Sequence, residues 1–187
     1  MHMPQLTRQW TVEDVHALPD DSKRYEVIDG ELFVTPSPLW RHQRAVGVLY
    51  ALLLEYLGRE HIGDVLVAPA DVIFSTTRLV QPDVFVVPLV NGRSPEQFAD
   101  VGQLLLAAEV LSPSTARADR VAKRTLFGDE RVPDYWIVDL DARTFERSTP
   151  ADTRPEILVD EVRWHPQGAS TPLVIDLPKY FAAVLDS

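Results

Sequence analysis

Two carboxylates stand at the ends of strand-like apolar runs, where they could act together. Glu109 follows the apolar residues 104–108 in the run "LLLAAEVLSPST". Asp83 follows a proline at the head of "VFVVP", 26 residues earlier in the chain. A carboxylate in a buried strand is costly to desolvate unless it is paired, hydrogen-bonded or bound to a cation. If the two strands are neighbours, both carboxylates can meet.

Two converging carboxylates with open coordination positions suit a hard cation such as Mg²⁺, for which Mn²⁺ can substitute. Such an ion favours phosphoryl substrates, because it lowers the pKa of a bound water and stabilises charge on the phosphate. Lys123 lies on the helix predicted after the Glu109 strand and could orient that water or neutralise the developing charge. The residues therefore predict a metal-dependent site for a phosphoryl substrate, centred on Asp83, Glu109 and Lys123.

Each of these residue types also has an ordinary explanation. A Pro-Asp pair often starts a turn, and a glutamate at the end of a strand can emerge into solvent. Ser112 and Ser114 suggest a serine hydrolase, but the chain contains no Gly-x-Ser-x-Gly elbow. His16, His61 and His165 show no metal-ligand spacing. The paired acids and the lysine remain the stronger signal.

The N-terminal third of the chain shows clear signals for helices and a hairpin. Thr11 is expected to cap a short helix that stops at Pro19, and the pair 29–30, Asp-Gly, to form the type I′ turn of a β-hairpin. Apolar residues at helical spacing predict a helix from about Trp40 to Leu57, with Gly58 as its stop.

The rest of the chain alternates strand and helix signals. Two or three strands are expected between residues 64 and 88, followed by a loop over 89–103. The Glu109 run is assigned to a strand because Ser-Pro-Ser-Thr ends it, and a helix over 119–127 and a strand pair over 131–148 follow. Tyr135 and Trp136 are expected to pack in that sheet. The last residues predict a strand or two and a short closing helix.

Composition indicates one globular domain over residues 1–187, with 45% apolar residues and no cysteine for a disulfide or a thiolate site. The net charge of −10 opposes non-specific attraction to nucleic acid, so such a role requires a local basic patch. The run "RADRVAKR" (117–124) is that patch, unless it is simply a solvated helix face. No export signal or membrane-spanning stretch is present, which indicates a cytoplasmic protein.

The order of several motifs resembles a known family. Asp83 after proline, Glu109 leaving an apolar strand and a nearby lysine are similar to the PD-(D/E)xK nuclease superfamily. The closer resemblance is to the Uma2 family of restriction endonuclease-like proteins, and it runs from about Thr11 to Thr144. Five pieces carry it in order: "RYEVIDGEL", "HQRAVGVLYALL", "VQPDVFVV", "AEVLSPSTARADRVAKRTLF" and "VPDYWIVD".

The resemblance implies an α/β fold, a mixed α+β sheet flanked by helices with a restriction-endonuclease-like core. It also implies a Mg²⁺-dependent endonuclease acting on DNA. Asp83 and Glu109 would be metal ligands with the Val110 carbonyl as a third, and Lys123 would be the catalytic lysine. The strict superfamily position for that lysine holds Leu111 here. The lysine would therefore have moved to the following helix.

Further residues are second-rank candidates. Glu26 and Glu31, on opposite arms of the hairpin, are candidates for additional metal ligands or for supporting contacts. The candidates for phosphate contacts are Arg41, His42, Gln43, Arg117, Arg120 and Arg124. A homodimer is expected, since two copies can place two sites on opposite DNA strands. The alternative is a nuclease-like fold that no longer cuts and serves as a binding or assembly module, which the acidic net charge and the displaced lysine favour.

Overall fold

A computed structural model describes residues 8–19, 21, 23–96, 101 and 103–186 of the protein. Within these residues the chain forms four α-helices, a π-helical turn and twelve strands. The helices are α1 (Val12–His16), α2 (Trp40–Glu60), α3 (Arg124–Asp129) and α4 (Leu177–Leu185), and the π-helical turn is Ala118–Lys123. The strands are β1 (Arg24–Ile28), β2 (Glu31–Thr35), β3 (Gly63–Val67), β4 (Val72–Ser75), β5 (Arg78–Val80), β6 (Val84–Pro88), β7 (Leu106–Val110), β8 (Tyr135–Asp139), β9 (Thr144–Ser148), β10 (Glu156–Leu158), β11 (Glu161–Trp164) and β12 (Leu173–Asp176).

A mixed sheet of six strands, in the order β10-β9-β8-β7-β6-β3, organises the fold. β7 and β8 run parallel, and the chain crosses between them through the π-helical turn and α3. The other neighbouring pairs in this sheet are antiparallel. This arrangement confirms the predicted mixed sheet flanked by helices, including the strand-turn-helix-strand unit in the middle of the chain.

Two hydrophobic cores lie on opposite faces of the sheet. α2 and α4 cover one face, where Val84 and Val86 of β6 are buried. A smaller sheet, in the order β2-β1-β5-β4, and α3 cover the other face, where Phe85 and Val87 are buried. Successive side chains of a strand point to opposite faces, so this alternation assigns each residue of β6 and β7 to one core.

Several local predictions are confirmed by the structure. Thr11 caps α1 and exchanges hydrogen bonds with Asp14 in a capping box. Asp29 and Gly30 both have positive φ and join β1 to β2 in a two-residue turn. Tyr135 and Trp136 are buried in the sheet, as expected for the first residues of β8. The closing pair β11 and β12 and the helix α4 follow where the C-terminal pattern places them.

Other local predictions need correction. Helix α2 does not stop at Gly58 but continues to Glu60, and His61 in the left-handed region ends it. An exposed glycine weakens a helix without breaking it. The helix continues past Gly58 because its long amphipathic face packs against the core. The segment 63–88 holds four strands rather than two or three, because short turns divide each apolar run. β10 was not expected at all. The predicted loop over 89–103 lies partly outside the described residues, and its described part contains the bridge between Val90 and Arg93.

Candidate active site

Strands β6 and β7 bring Asp83 and Glu109 to the same place. Their antiparallel register pairs Val84 with Ala108, so one further step sets Asp83 opposite Glu109. The alternation of side chains also points both acids to the face covered by the smaller sheet. The carboxylate of Asp83 accepts a hydrogen bond from the Val110 N–H at 2.8 Å, which ties it to the residue next to Glu109. Both side chains are buried.

Asp83 contacts two side chains from elements outside its own sheet. Its Oδ1 atom accepts a hydrogen bond from the Arg24 guanidinium at 2.7 Å, and its Oδ2 atom lies 3.0 Å from Nε2 of His42. Burial alone would raise the pKa of Asp83, but the His42 hydrogen bond and the Arg24 charge outweigh it and lower this pKa. Asp83 is therefore an ionised carboxylate in the structure.

The ammonium of Lys123 sits among three carboxylates. Its Nζ atom lies 2.8 Å from Glu109, 2.9 Å from Glu26 and 3.5 Å from Asp119. Glu26 lies on β1, on the same strand face as Arg24. This face packs against the six-stranded sheet. We call Glu26, Glu109, Asp119 and Lys123 the lysine cluster.

The π-helical turn places Asp119 and Lys123 in this cluster. The Arg124 N–H donates to the Asp119 carbonyl five residues earlier, which is the widened bonding of a π-helix. The buried hydroxyl of Tyr135 donates to the same carbonyl at 3.0 Å. The turn is thus anchored to β8, and its two charged side chains are held against β1 and β7.

Burial and like charges shift the protonation of the lysine cluster. Burial raises the pKa of Glu109 well above its usual value, and the Lys123 charge only partly opposes that shift. Burial also raises the pKa of Asp119, and the Lys123 charge again only partly opposes that shift. For Lys123, burial lowers the pKa, but Glu109, Glu26 and Asp119 outweigh it and raise this pKa. Lys123 is therefore a permanent cation and not a general base.

The charges of the site leave room for a divalent cation. In the described part of the chain, four buried carboxyl groups face two fixed cations, so full ionisation would leave a formal surplus of two negative charges. The raised pKa values of Glu109 and Asp119 favour their neutral forms until a cation offsets that charge. The carboxylates are Glu26, Asp83, Glu109 and Asp119, and the cations are Arg24 and Lys123. One Oδ1 atom, that of Asp119, is buried without a hydrogen-bond donor. Hard oxygen donors with this surplus charge fit Mg²⁺ or Mn²⁺. Among the described residues, no group of three or more His, Cys, Asp or Glu side chains is already arranged to hold a metal ion. The fit of the site to a divalent cation therefore rests on its oxygen donors and its charge.

A cavity of about 660 Å³ opens over Asp83. Its lining includes Arg24, Arg41, His42, Gln43 and the loop 111–115. Arg41 also pairs with Asp141 at 2.9 Å, and both of these side chains are largely exposed. The cavity gives the buried Asp83 a route to solvent and to a ligand.

The structure separates the predicted phosphate contacts into two groups. Arg41, His42 and Gln43 line the cavity, whereas the three arginines of the basic run are not among its lining residues. Arg120 is bound to Glu146 at 2.7 Å and to Asp139 at 2.8 Å. The other two are Arg117, which is exposed, and Arg124, which is half-buried.

The two hairpin acids are also distinguished by the structure. Glu26 lies in the lysine cluster, while Glu31 is exposed at the start of β2. Sequence reasoning missed Arg24 and Asp119 as members of the site. Both had a signal: Arg24 stands two residues before Glu26 on the same strand face, and Asp119 stands one helical turn before Lys123.

No helix in the described part of the chain combines the length and the apolar character needed to cross a bilayer.

Comparisons with known proteins concern the family and the fold. The family model of Uma2, described as "Putative restriction endonuclease", matches residues 12–179. A crystal structure of a "putative nuclease belonging to DUF820" from Anabaena variabilis superposes with a TM-score of 0.78 at 18% sequence identity. That match covers 94% of this chain and 99% of the other, and at this identity it shows a shared fold. No curated protein sequence matches the chain.

Proposed function

Because the chain belongs to the Uma2 family of restriction endonuclease-like proteins, we propose that it is a Mg²⁺-dependent endonuclease that hydrolyses phosphodiester bonds in DNA. The observation that carries this proposal is the juxtaposition of Asp83 and Glu109 on neighbouring strands, with the Lys123 ammonium 2.8 Å from Glu109. Two acids and a lysine from three separate segments lie close together, and Asp83 among them lines the cavity. Paired carboxylates with a cation beside them suit phosphodiester hydrolysis.

Asp83 and Glu109, with the Val110 carbonyl, are the residues that would hold the metal. Mn²⁺ could occupy the same site in place of Mg²⁺. A divalent ion there supplies positive charge to a phosphate and lowers the pKa of a water. The chain's own contribution is to exclude bulk water and to hold two carboxylates in fixed positions. The Val110 N–H and His42 orient Asp83, and Glu26 joins Glu109 around the lysine.

Lys123 supplies a fixed positive charge beside Glu109, one of the two carboxylates that would hold the metal. Since its pKa is raised by the carboxylates around it, it keeps its proton and stabilises negative charge that develops on phosphate oxygens. The cavity above Asp83 would receive the phosphate backbone, with Arg41 and Gln43 at its wall. Arg117 and Arg124 could extend the contact along the strand. Because neither arginine lines the cavity, we assign them to affinity and not to the reaction.

A second candidate function, a non-cutting binding module, is favoured by one specific observation. Asp83 already pairs with Arg24, and Glu109 already pairs with Lys123, so each proposed metal ligand has an internal cation. A site that neutralises its own acids can be stable without metal. Calorimetric titration with Mn²⁺ separates the two functions, because the endonuclease requires specific uptake that is lost in Asp83→Asn.

The cleavage experiment uses supercoiled plasmid with Mg²⁺ or Mn²⁺. We expect Asp83→Asn and Glu109→Gln to abolish cleavage with the fold retained, since both replacements keep a hydrogen-bond acceptor. Lys123→Ala should lose cleavage but keep Mn²⁺ uptake, because removal of a cation does not weaken binding of another. The matched control is Asp134→Asn, a buried acid paired with Arg147 elsewhere in the sheet, which should cut like the parent. Cleavage by Asp83→Asn or Glu109→Gln at the parental rate would refute the assignment.

A further inference from the structure

The guanidinium of Arg24 lies between the buried acids and the cavity. Arg24 is the first residue of β1, and its side chain is 17% exposed, compared with 2% for that of Lys123. Arg24 belongs to the lining of the cavity above Asp83, whereas Lys123 does not. The two fixed cations of the site therefore differ in position. Lys123 is enclosed by carboxylates, and Arg24 can be reached by a ligand that enters the cavity.

Arg24 contacts one oxygen of the proposed metal ligand Asp83. Its Nη1 atom donates to Oδ1 of Asp83 at 2.7 Å and to the Gln81 carbonyl at 3.0 Å. The other oxygen, Oδ2, accepts the Val110 N–H at 2.8 Å and lies 3.0 Å from Nε2 of His42. The neighbouring strand and α2 thus hold Oδ2, whereas Oδ1 contacts a side chain on the cavity wall. Arg24 is placed to compete with a divalent cation for Oδ1.

The charge of Arg24 opposes a metal ion at the same carboxylates. Burial lowers the pKa of Arg24, but the charges of Asp83, Glu109 and Glu26 outweigh it and raise this pKa, so the guanidinium stays charged. Like charges beside one buried carboxylate repel each other strongly, because the protein screens them less than water does. The acids therefore bind a divalent cation less tightly while Arg24 keeps its contact with Asp83.

A phosphodiester in the cavity would offer Arg24 another partner. Among the described residues, both hydrogen bonds of its guanidinium use the Nη1 atom. A guanidinium is planar and binds a phosphate through two parallel hydrogen bonds, a geometry that its contact with Asp83 does not use. A turn of Arg24 from Asp83 to the phosphate would free Oδ1 when the substrate arrives.

We propose that Arg24 is a positioning residue that couples metal binding to phosphate binding. It holds Oδ1 of Asp83 in the free protein and turns to the phosphodiester when the substrate enters, so that the metal ion and the phosphate bind cooperatively. This inference rests on the metal site of the proposed function but not on hydrolysis. Such coupling is reciprocal, since a phosphodiester that tightens metal binding is itself bound more tightly in the presence of the metal.

The first test measures Mn²⁺ binding to the full chain by calorimetry, without nucleic acid. Arg24→Met removes the charge and both hydrogen bonds but keeps a long side chain, and it should raise the affinity for Mn²⁺ about tenfold or more. Arg24→Lys keeps a cation and should bind Mn²⁺ like the parent. The matched control, Arg147→Met, breaks the ion pair with Asp134 elsewhere in the sheet and should also leave the affinity unchanged. Circular dichroism checks the fold of each variant.

The second test uses the parent chain without substitution. The Mn²⁺ titration is repeated at increasing concentrations of dimethyl phosphate, a phosphodiester that carries no base, with a blank titration in the absence of protein. The affinity of the parent for Mn²⁺ should rise about fivefold or more, and that of Arg24→Met should not depend on dimethyl phosphate. A parent whose affinity for Mn²⁺ is the same with and without dimethyl phosphate would overturn the coupling.

The outcomes separate this inference from the proposed function. If the parent binds Mn²⁺ and Arg24→Met binds it no more tightly, the role of Arg24 is overturned and the metal site remains. If neither protein binds Mn²⁺, both the role of Arg24 and the metal site are overturned. Tighter binding by Arg24→Met that is lost in Arg24→Met/Asp83→Asn supports the role of Arg24, even where no protein cleaves plasmid and hydrolysis is refuted.

Discussion

Replacement of Lys123 by methionine tests the electrostatics of the lysine cluster. Methionine keeps most of the buried volume, so the variant removes a charge and leaves little cavity. Glu26, Glu109 and Asp119 would then remain buried without the cation that lies within 2.8–3.5 Å of them. Removal of one partner from a buried ion pair costs about 3–5 kcal/mol. For a chain of this size, that loss corresponds to a decrease in Tm of about 6–20 °C.

The size of this effect should depend on pH in a defined direction. Burial raises the pKa of Glu109 and of Asp119 in the folded protein, and loss of the Lys123 charge raises both further. A group whose folded pKa lies above its unfolded value destabilises the fold at pH values above the unfolded pKa. The penalty is complete above the folded pKa and disappears as pH falls toward the usual value of 4.5 for glutamate. The Tm difference between variant and parent should therefore shrink from pH 8 to pH 5.

The assay is thermal unfolding followed by circular dichroism at several pH values between 5 and 8. Lys179→Met is the control, since the Lys179 side chain is exposed at the surface, where it pairs with Asp176. Its free energy of unfolding should stay within about 0.5 kcal/mol of the parent. A Lys123→Met protein as stable as the parent at pH 8, or a Tm difference that is constant with pH, would refute the reasoning that ionised carboxylates depend on this ammonium.

Three further changes test single contacts. Tyr135→Phe removes the hydroxyl that donates to the Asp119 carbonyl and should lower the free energy of unfolding in urea by about 1 kcal/mol. Gly30→Ala forces a Cβ into φ +82° and should cost about 1–2 kcal/mol in the same assay. Several hydrogen bonds, of which the one from the Thr171 hydroxyl has the largest effect, lower the pKa of Glu60 to about 2. Glu60→Gln should therefore lower Tm at pH 7, with the difference fading as pH falls from 4.5 toward 2.

Each of these expectations has an outcome that contradicts it. Tyr135→Phe at parental stability would mean that the π-helical turn does not depend on its anchor to β8. Gly30→Ala at parental stability would mean that the hairpin turn adopts another conformation. For Glu60→Gln, a Tm difference that persists unchanged at low pH would show that the carboxylate charge is not what binds the loop after β11.

Local patterns in the sequence predicted much of the fold. The Asp29-Gly30 turn, the cap at Thr11 and the burial of Tyr135 and Trp136 depend on interactions between residues close in the chain, and the structure confirms them. The end of α2 was placed too early at Gly58, because the stability of a long helix comes from packing along its whole inner face, which one residue does not reveal.

The sequence by itself determined which residue types are available for chemistry: two acids at strand ends, a lysine on the next helix and a glutamate on a hairpin. Only the tertiary structure decided which of them meet. The register of β6 against β7 sets Asp83 opposite Glu109, and the packing of β1 over that face brings in Arg24 and Glu26. These contacts join residues far apart in the chain. Their energies depend on burial and on distances of a few ångströms, which no local pattern specifies.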